Sequence, residues 1–204
     1  MNRVAKLLAL ALAAPLAGVA ATVNVTLRDA QGNPLEDAVV WVVPKAPASV
    51  PPRGAMVEQK DKAFIPLVSI VQTGTLVAFP NRDDVRHHVY SFSPPKVFDI
   101  KLYAGTPVSP TLFDKPGEVV LGCNIHDHMI AYIYVVDTPW FAKAGKEGLA
   151  RIENVPAGEY DLHARHPAQA AQPAPVPVRL RADETSQASF TVGRRPMPRR
   201  PSVR

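Results

Sequence analysis

Three residues that can bind a metal through different atoms lie close together in one segment of the chain. Cys123, His126 and Met129 follow the pattern C-x2-H-x2-M within VVLGCNIHDHMIAY. A thiolate, imidazoles and a weak thioether together suit copper, with one cysteine and two histidines in a trigonal plane and a distant axial methionine. The segment provides three of these four groups, so the site needs one further imidazole.

The missing imidazole has two candidates in the upstream segment RHHVYSF. His87 and His88 are neighbours on a predicted strand, so their side chains point to opposite faces, and parity alone leaves both open. His128 would give the alternative spacing C-x4-H. Because Met129 follows His128 immediately, the chain between them is too short for the Met129 sulfur to reach the axial position of a metal bound by His128. We therefore expect His128 to be a surface residue near the site.

The elements that must position these residues are predicted to be β-strands. Apolar and polar residues alternate in TVNVTLR, and short apolar runs separated by Gly, Pro or Asp turns continue to residue 137. Residues 45–61 are rich in Pro, Lys and Ala and are predicted to form a loop, with one short ordered stretch inside it as the alternative. The sequence therefore indicates an all-β sandwich or barrel. The further predicted strands are AVVWVV, AFIPLVSIV, TLVAF, HHVYSF, VFDIKLY, VSPTLF, EVVLGC and MIAYIYVVD.

The composition changes after Asp137. TPWFAKAGKEG is predicted to be a connector, and GLARIENVPAGEYDLHARHP and VPVRLRADETSQASFTV are predicted to form two strand pairs. His163 and His166 lie three apart on one of these strands and face opposite sides. We expect them to be structural or solvent-exposed, because this block has no cluster of metal ligands.

Composition excludes several classes of protein. A single cysteine among 204 residues cannot form an internal disulfide, a zinc ribbon or a c-type haem attachment. With 47% hydrophobic residues the chain can bury a core, and one or two domains are expected. No nucleophile, base and orienting acid form a recognisable pattern, so we expect a protein that is not an enzyme.

The first 21 residues are predicted to be an export signal. Arg3 and Lys6 precede an apolar run from Leu7 to Ala21 that is too short to span a bilayer stably. The mature chain is expected to begin near Thr22 and to be soluble in the periplasm, since no other segment approaches membrane-spanning length. The alternative is that the same segment is retained as an anchor.

The formal net charge of +5 is concentrated at the two ends of the chain. Two cations lie in the predicted signal, and five arginines lie in the tail RRPMPRRPSVR, so the remaining segment is slightly acidic. We therefore expect no nucleic-acid partner. Residues 193–204 are predicted to be a disordered basic tail that is either a solvated end or a weak contact for an anionic membrane surface.

The central motifs resemble those of the cupredoxins, the blue copper proteins. Amicyanin has the same short C-x2-H-x2-M loop, and FPNRDDVRHHVYSF is similar to the strand that carries the first histidine in amicyanin and plastocyanin. The resemblance covers residues 62–137 and also fits exported bacterial proteins of the "methylamine utilisation" type. It implies a Greek-key β-sandwich and one type 1 copper ion. The implied ligands are His87, Cys123, His126 and Met129, with His88 as the alternative to His87.

The resemblance also implies a function. All four coordinating positions would be filled by protein, which favours a carrier of single electrons over an oxidase, with a redox partner such as a c-type cytochrome or a dehydrogenase. His126 resembles the family's exposed electron port, and Ile125, Pro94 and Pro95 are expected to form its rim. Ile125 replaces the family's usual proline, and we expect its N–H to bond the Cys123 thiolate. The alternatives are a copper delivery or sensor protein, and a structural or adhesive module with a metal site.

The flanks resemble a second family. DAQGNPLEDAVVWVV and ARIENVPAGEYDLHARHP look like the turn motifs of carboxypeptidase regulatory-like or Cna-B-like β-sandwiches. Residues 22–44 and 148–192 would then form one discontinuous sandwich into which the cupredoxin-like segment is inserted. The alternative is that residues 22–44 supply the first strands of the cupredoxin itself.

Overall fold

The computed structural model describes residues 20–45, 50–107 and 109–193. Within these ranges the chain forms seventeen β-strands and no helix, so the all-β prediction is confirmed. No helix that could cross a membrane was found among the described residues. Two predicted segments lie outside the described residues. They are the export signal, except its last two residues, and the tail beyond Gly193. Ala21 begins the first strand.

The strands are numbered in chain order. They are β1 (Ala21–Asp29), β2 (Val39–Pro44), β3 (Ala55–Met56), β4 (Glu58–Lys60), β5 (Ala63–Ile65), β6 (Val68–Gln72), β7 (Thr75–Ala78), β8 (His87–Ser91), β9 (Phe98–Tyr103), β10 (Thr111–Phe113), β11 (Gly117–Gly122), β12 (Ile130–Val136), β13 (Phe141–Lys143), β14 (Leu149–Val155), β15 (Gly158–Arg165), β16 (Val176–Leu180) and β17 (Thr185–Val192).

The strands from β3 to β12 build one sandwich. A five-stranded sheet has the order β6-β12-β11-β8-β9, and a three-stranded sheet has the order β10-β7-β3. Between them lies an apolar cluster that contains Val77 of β7, Phe113 of β10 and Leu121 of β11, all fully buried. Cys123 and Met129 belong to the same cluster, so the predicted ligand loop is anchored in this core.

The remaining strands build a second sandwich around a separate core. One sheet has the order β14-β1-β17, and the other has the order β13-β2-β15-β16. The buried residues of β1 alternate with less buried ones, as the period-two pattern of TVNVTLR predicts. Val23, Val25 and Leu27 of β1 pack with Val40 and Leu162 of the facing sheet. Strands from both ends of the chain therefore share this core.

A smaller apolar cluster joins the two sandwiches. Val39 of β2 packs with Val68 of β6 and with Tyr132 and Tyr134 of β12. Lys143 of β13 adds a polar link, because its ammonium donates a hydrogen bond to the Val68 carbonyl oxygen at 3.0 Å. The second sandwich thus packs against the β6 and β12 side of the five-stranded sheet.

Three segments differ from the sequence prediction. AFIPLVSIV forms two strands, β5 and β6, and residues 55–60 of the predicted loop form β3 and β4. β4 pairs with β5 in a hairpin whose register joins Lys60 to Ala63. The predicted connector after Asp137 contains β13, which pairs with β2 through Phe141 and Trp41. These short strands lack strong alternation, so tertiary pairing rather than local pattern defines them.

Candidate metal centre

The five-stranded sheet brings the candidate ligands to one end of the first sandwich. His87 begins β8, and Cys123 directly follows β11. These two strands are antiparallel neighbours, with Gly122 opposite Tyr90. β11 also pairs with β12, so the loop that carries His126 connects adjacent strands. Antiparallel pairing therefore places the start of β8 beside the end of β11.

His87, Cys123 and His126 form the one group of three potential metal ligands found among the described residues. Their candidate ligand atoms all lie within 4.8 Å of one another. Cys123 Sγ is 3.9 Å from His126 Nδ1. Ligands that sit about 2.0–2.3 Å from a shared ion are separated from one another by roughly 3–4 Å. The group is therefore close to the geometry that one ion requires.

One nitrogen of His87 is buried and has no hydrogen-bond partner among the described residues. His87 is 0% exposed, and its Nδ1 is buried with no hydrogen-bond partner in the described structure. Its other nitrogen, Nε2, is 2.6 Å from a carboxylate oxygen of Asp83. A buried polar atom without a partner is costly. A metal bound at Nδ1 would satisfy it, and the residues present therefore fit a metal.

Met129 lies at the inner side of the loop. Its backbone N–H donates a hydrogen bond to the His126 carbonyl oxygen at 2.9 Å, which closes a tight turn. Its side chain is buried in the same apolar cluster as Cys123. The structure therefore buries the Met129 side chain in the apolar cluster that also contains Cys123.

His88 points away from this group, as strand parity requires. Its Nε2 contacts a carboxylate oxygen of Asp99 on β9, and its ring packs 5.5 Å from the ring of Tyr90. His128 is exposed, with its ring 6.0 Å from that of His126. The structure thus groups His87 rather than His88 with the thiol and leaves His128 at the surface.

The two histidines of the second sandwich have structural surroundings. His163 of β15 stacks on Trp41 with ring centroids 5.1 Å apart and planes 7° from parallel. His166 is buried, and its Nε2 is 3.1 Å from the Glu36 carbonyl oxygen. Neither belongs to the ligand group.

Two expectations about the surroundings of the centre are wrong. The described structure has no hydrogen bond from the Ile125 N–H to Cys123 Sγ, whose partner is His126. Pro95 lies against Gly117 at the start of β11, about 20 Å along the strand from Cys123, so it does not line the exposed edge of His126. β8 and β11 run antiparallel, and this carries the segment after Ser91 to the far end of the sheet. Ile125 is exposed in the ligand loop.

The surroundings of His126 lower the pKa of its imidazole. Burial lowers the pKa of His126, and electrostatic interactions with His87, Lys62 and His128 lower it further, whereas the interaction with Asp83 raises it. A lower pKa favours the neutral imidazole, which is the form that binds metals. Lys62, in the turn between β4 and β5, is therefore part of the electrostatic environment of the centre.

Sequence reasoning missed Asp83. Burial alone would raise the pKa of this carboxyl group, but hydrogen bonds from the Lys62 amide, the His87 ring and the Asp61 amide together lower it. The carboxylate is therefore ionised and accepts these bonds. An acidic residue four positions before a histidine in a loop has no diagnostic spacing, and no local signal identifies it.

Comparisons with solved structures gave copper proteins. A copper-containing nitrite reductase (NirK) from Thermus scotoductus SA-01 is 28% identical over 48% of this chain and 25% of its own length, with a TM-score of 0.39. A purple cupredoxin from Nitrosopumilus maritimus is 20% identical over 40% of this chain and 99% of its own, with a TM-score of 0.35. A mutant of amicyanin in its reduced form is 16% identical over 40% and 80%, with a TM-score of 0.37. Neither a family model nor a curated protein sequence matches the chain.

Proposed function

We propose that this protein is a mononuclear copper protein that carries single electrons between redox partners. The observation that carries the proposal is the close grouping of one thiol and two imidazoles, together with the buried Nδ1 of His87, which has no hydrogen-bond partner among the described residues. Soft thiolate and imidazole ligands with a weak thioether suit copper in both of its oxidation states. Bound copper would supply the one-electron couple.

The chain's residues would hold that ion with little rearrangement. Cys123 and Met129 are fixed in the core, and His87 is held by Asp83, so three of the four donor side chains are buried. His126 is partly exposed and would be the contact edge for a partner. We further propose that the protein is not an enzyme, because four protein ligands leave no open position for a substrate.

We also propose a cellular compartment and a class of partner for the protein. The leader predicts export to the periplasm, and the partner would be another redox protein, such as a c-type cytochrome or a dehydrogenase. We also propose that the metal-binding sandwich is inserted into a host sandwich of the carboxypeptidase regulatory-like type. The pairing of β1 and β2 with strands beyond residue 140 supports this arrangement.

The test is the visible absorption and electron paramagnetic resonance spectrum of the copper-loaded protein. We expect an intense thiolate-to-copper absorption band that disappears on reduction and returns on reoxidation. The band should be absent in Cys123→Ser and in His87→Asn. His128→Asn is the matched control and should leave the spectrum unchanged. A band that survives Cys123→Ser would contradict the proposal. Copper that is bound but passes readily to a chelator without reversible redox cycling would favour metal delivery instead.

A further inference from the structure

One carboxylate lies between the candidate ligand His87 and a hairpin that is distant in sequence. Asp83 Oδ1 accepts a hydrogen bond from the Asp61 amide at 2.6 Å, and Oδ2 accepts one from the Lys62 amide at 2.9 Å. The same Oδ2 is 2.6 Å from His87 Nε2. The side chain is only 12% exposed, so these contacts are largely shielded from water.

The two amides belong to the turn of the β4–β5 hairpin. Asp61 and Lys62 have φ values of 53° and 54°, a left-handed conformation that costs free energy in residues other than glycine. Their N–H groups converge on Asp83 in this conformation. A two-stranded hairpin is marginally stable by itself, so contacts with the rest of the protein must hold it.

Backbone hydrogen bonds dock the hairpin beside the segment that carries Asp83. The Gln59 amide donates to the Pro80 carbonyl oxygen at 2.8 Å, and the Arg82 amide donates to the Gln59 carbonyl oxygen at 2.7 Å. Asn81 then fixes Asp83, because its side-chain oxygen accepts the Asp83 amide at 2.9 Å. The carboxylate is therefore held in place before any metal binds.

We propose that Asp83 is a positioning residue that couples metal binding at His87 to the order of the Asp61–Lys62 turn. Its carboxylate can only accept, so His87 carries its proton on Nε2 and keeps Nδ1 free for the ion. The inference rests on the proposed metal site but not on its electron-transfer role. Because coupling between two equilibria is reciprocal, a metal that fixes His87 also steadies the turn.

The experiment uses zinc as a redox-silent probe of the full chain. Asp83→Ala should weaken zinc binding by about 10–100-fold, the usual effect of losing an outer partner of a ligand. Hydrogen exchange at the Asp61 and Lys62 amides should slow on zinc binding in the unmodified protein but not in Asp83→Ala. In the metal-free protein, nitrogen NMR should show the His87 proton held on Nε2 only when Asp83 is present. Asp84→Asn, at the exposed neighbouring residue, is the control and should change none of these readouts.

The outcomes separate the coupling from the proposed function. Zinc affinity in Asp83→Ala within about twofold of that of the unmodified protein would overturn the inference. Hydrogen-exchange rates at the Asp61 and Lys62 amides of the unmodified protein that are the same with and without zinc would also overturn it. If Asp83→Ala does not fold, Asp83→Asn keeps the shape and one acceptor oxygen, and the same comparisons apply with a smaller loss expected. A protein that shows the coupling with zinc but gives no thiolate-to-copper band would disprove the proposed function and leave the coupling intact.

Discussion

His87 and His126 face each other across the candidate centre, with ring centroids 5.0 Å apart and ring planes at 60°. The two imidazoles differ in access, because His87 is fully buried and His126 is partly exposed. Removing the ring of His126 would open the centre to small molecules from solvent. Removing the ring of His87 would leave a closed cavity in the protein.

This difference predicts which ligand can be replaced from outside. In copper-loaded His126→Gly, added imidazole should restore the thiolate-to-copper band, because the opened position can be reached from solvent. In His87→Gly, added imidazole should fail to restore it. Absorption titrations of the two variants measure this directly. Equal rescue in both would contradict the observed difference in burial.

The core of the first sandwich predicts a contrast between two phenylalanines. Phe113 is fully buried and packs against Phe79 and Phe98, so Phe113→Ala should lower the free energy of unfolding by about 3–5 kcal/mol. Phe92 is 78% exposed, so Phe92→Ala should change it by no more than about 0.5 kcal/mol. Urea denaturation measures both values. A small loss at Phe113 would show that this core is not closely packed.

Two glycines in the second sandwich give a matched pair. Gly148 has φ +68°, and a Cβ added there would meet the Leu27 carbonyl oxygen and approach the Leu35 amide nitrogen to 2.8 Å. Gly148→Ala should therefore cost about 2–4 kcal/mol of stability. Gly145 has open space around it, so Gly145→Ala should stay within about 0.5 kcal/mol. Thermal melts distinguish the two, and similar melting temperatures would refute the prediction.

The phenol of Tyr103 predicts a loss of stability in alkali. Burial raises the pKa of Tyr103 from 10.0 to about 12, against the opposing hydrogen bond from Gln59. Between these two values the folded protein keeps a proton that the unfolded chain releases. Stability must therefore fall as the pH rises from about 10 through about 12. Tyr103→Phe removes this contribution.

The measurement is the free energy of unfolding of both proteins across this pH range. Near neutral pH the variant should be less stable, since the Tyr103 hydroxyl donates to the Phe79 carbonyl oxygen at 2.6 Å. The difference between the two proteins should shrink as the pH rises from about 10. A difference that stays constant would mean that the phenol titrates alike in the folded and unfolded chains.

Much of the fold follows from local pattern. The alternation of TVNVTLR predicts the burial along β1, and the apolar run MIAYIYVVD predicts β12 to within one residue at each end. The β4–β5 hairpin could not be found in this way. Its turn residues, Asp61 and Lys62, have positive φ without glycine or asparagine. The usual hairpin signal is therefore missing.

The candidate centre was predictable where its residues lie within one loop. The spacing of Cys123, His126 and Met129 marks the loop itself, because short spacing restricts where these side chains can point. The choice between His87 and His88 depends on which face of β8 meets the core, and that is decided by the packing of distant strands. Asp83 was beyond prediction, since its partners come from a hairpin about twenty residues away.

The order in which the chain is made has a consequence for the two sandwiches. β1 precedes the other described strands in the chain, and both of its sheet neighbours, β14 and β17, come more than a hundred residues later. The strands around the candidate centre are consecutive, from β3 to β12, and need no partner from elsewhere. Pairings so distant in sequence form slowly. The strands that carry the candidate centre can therefore assemble before β14 and β17 have been synthesised to pair with β1.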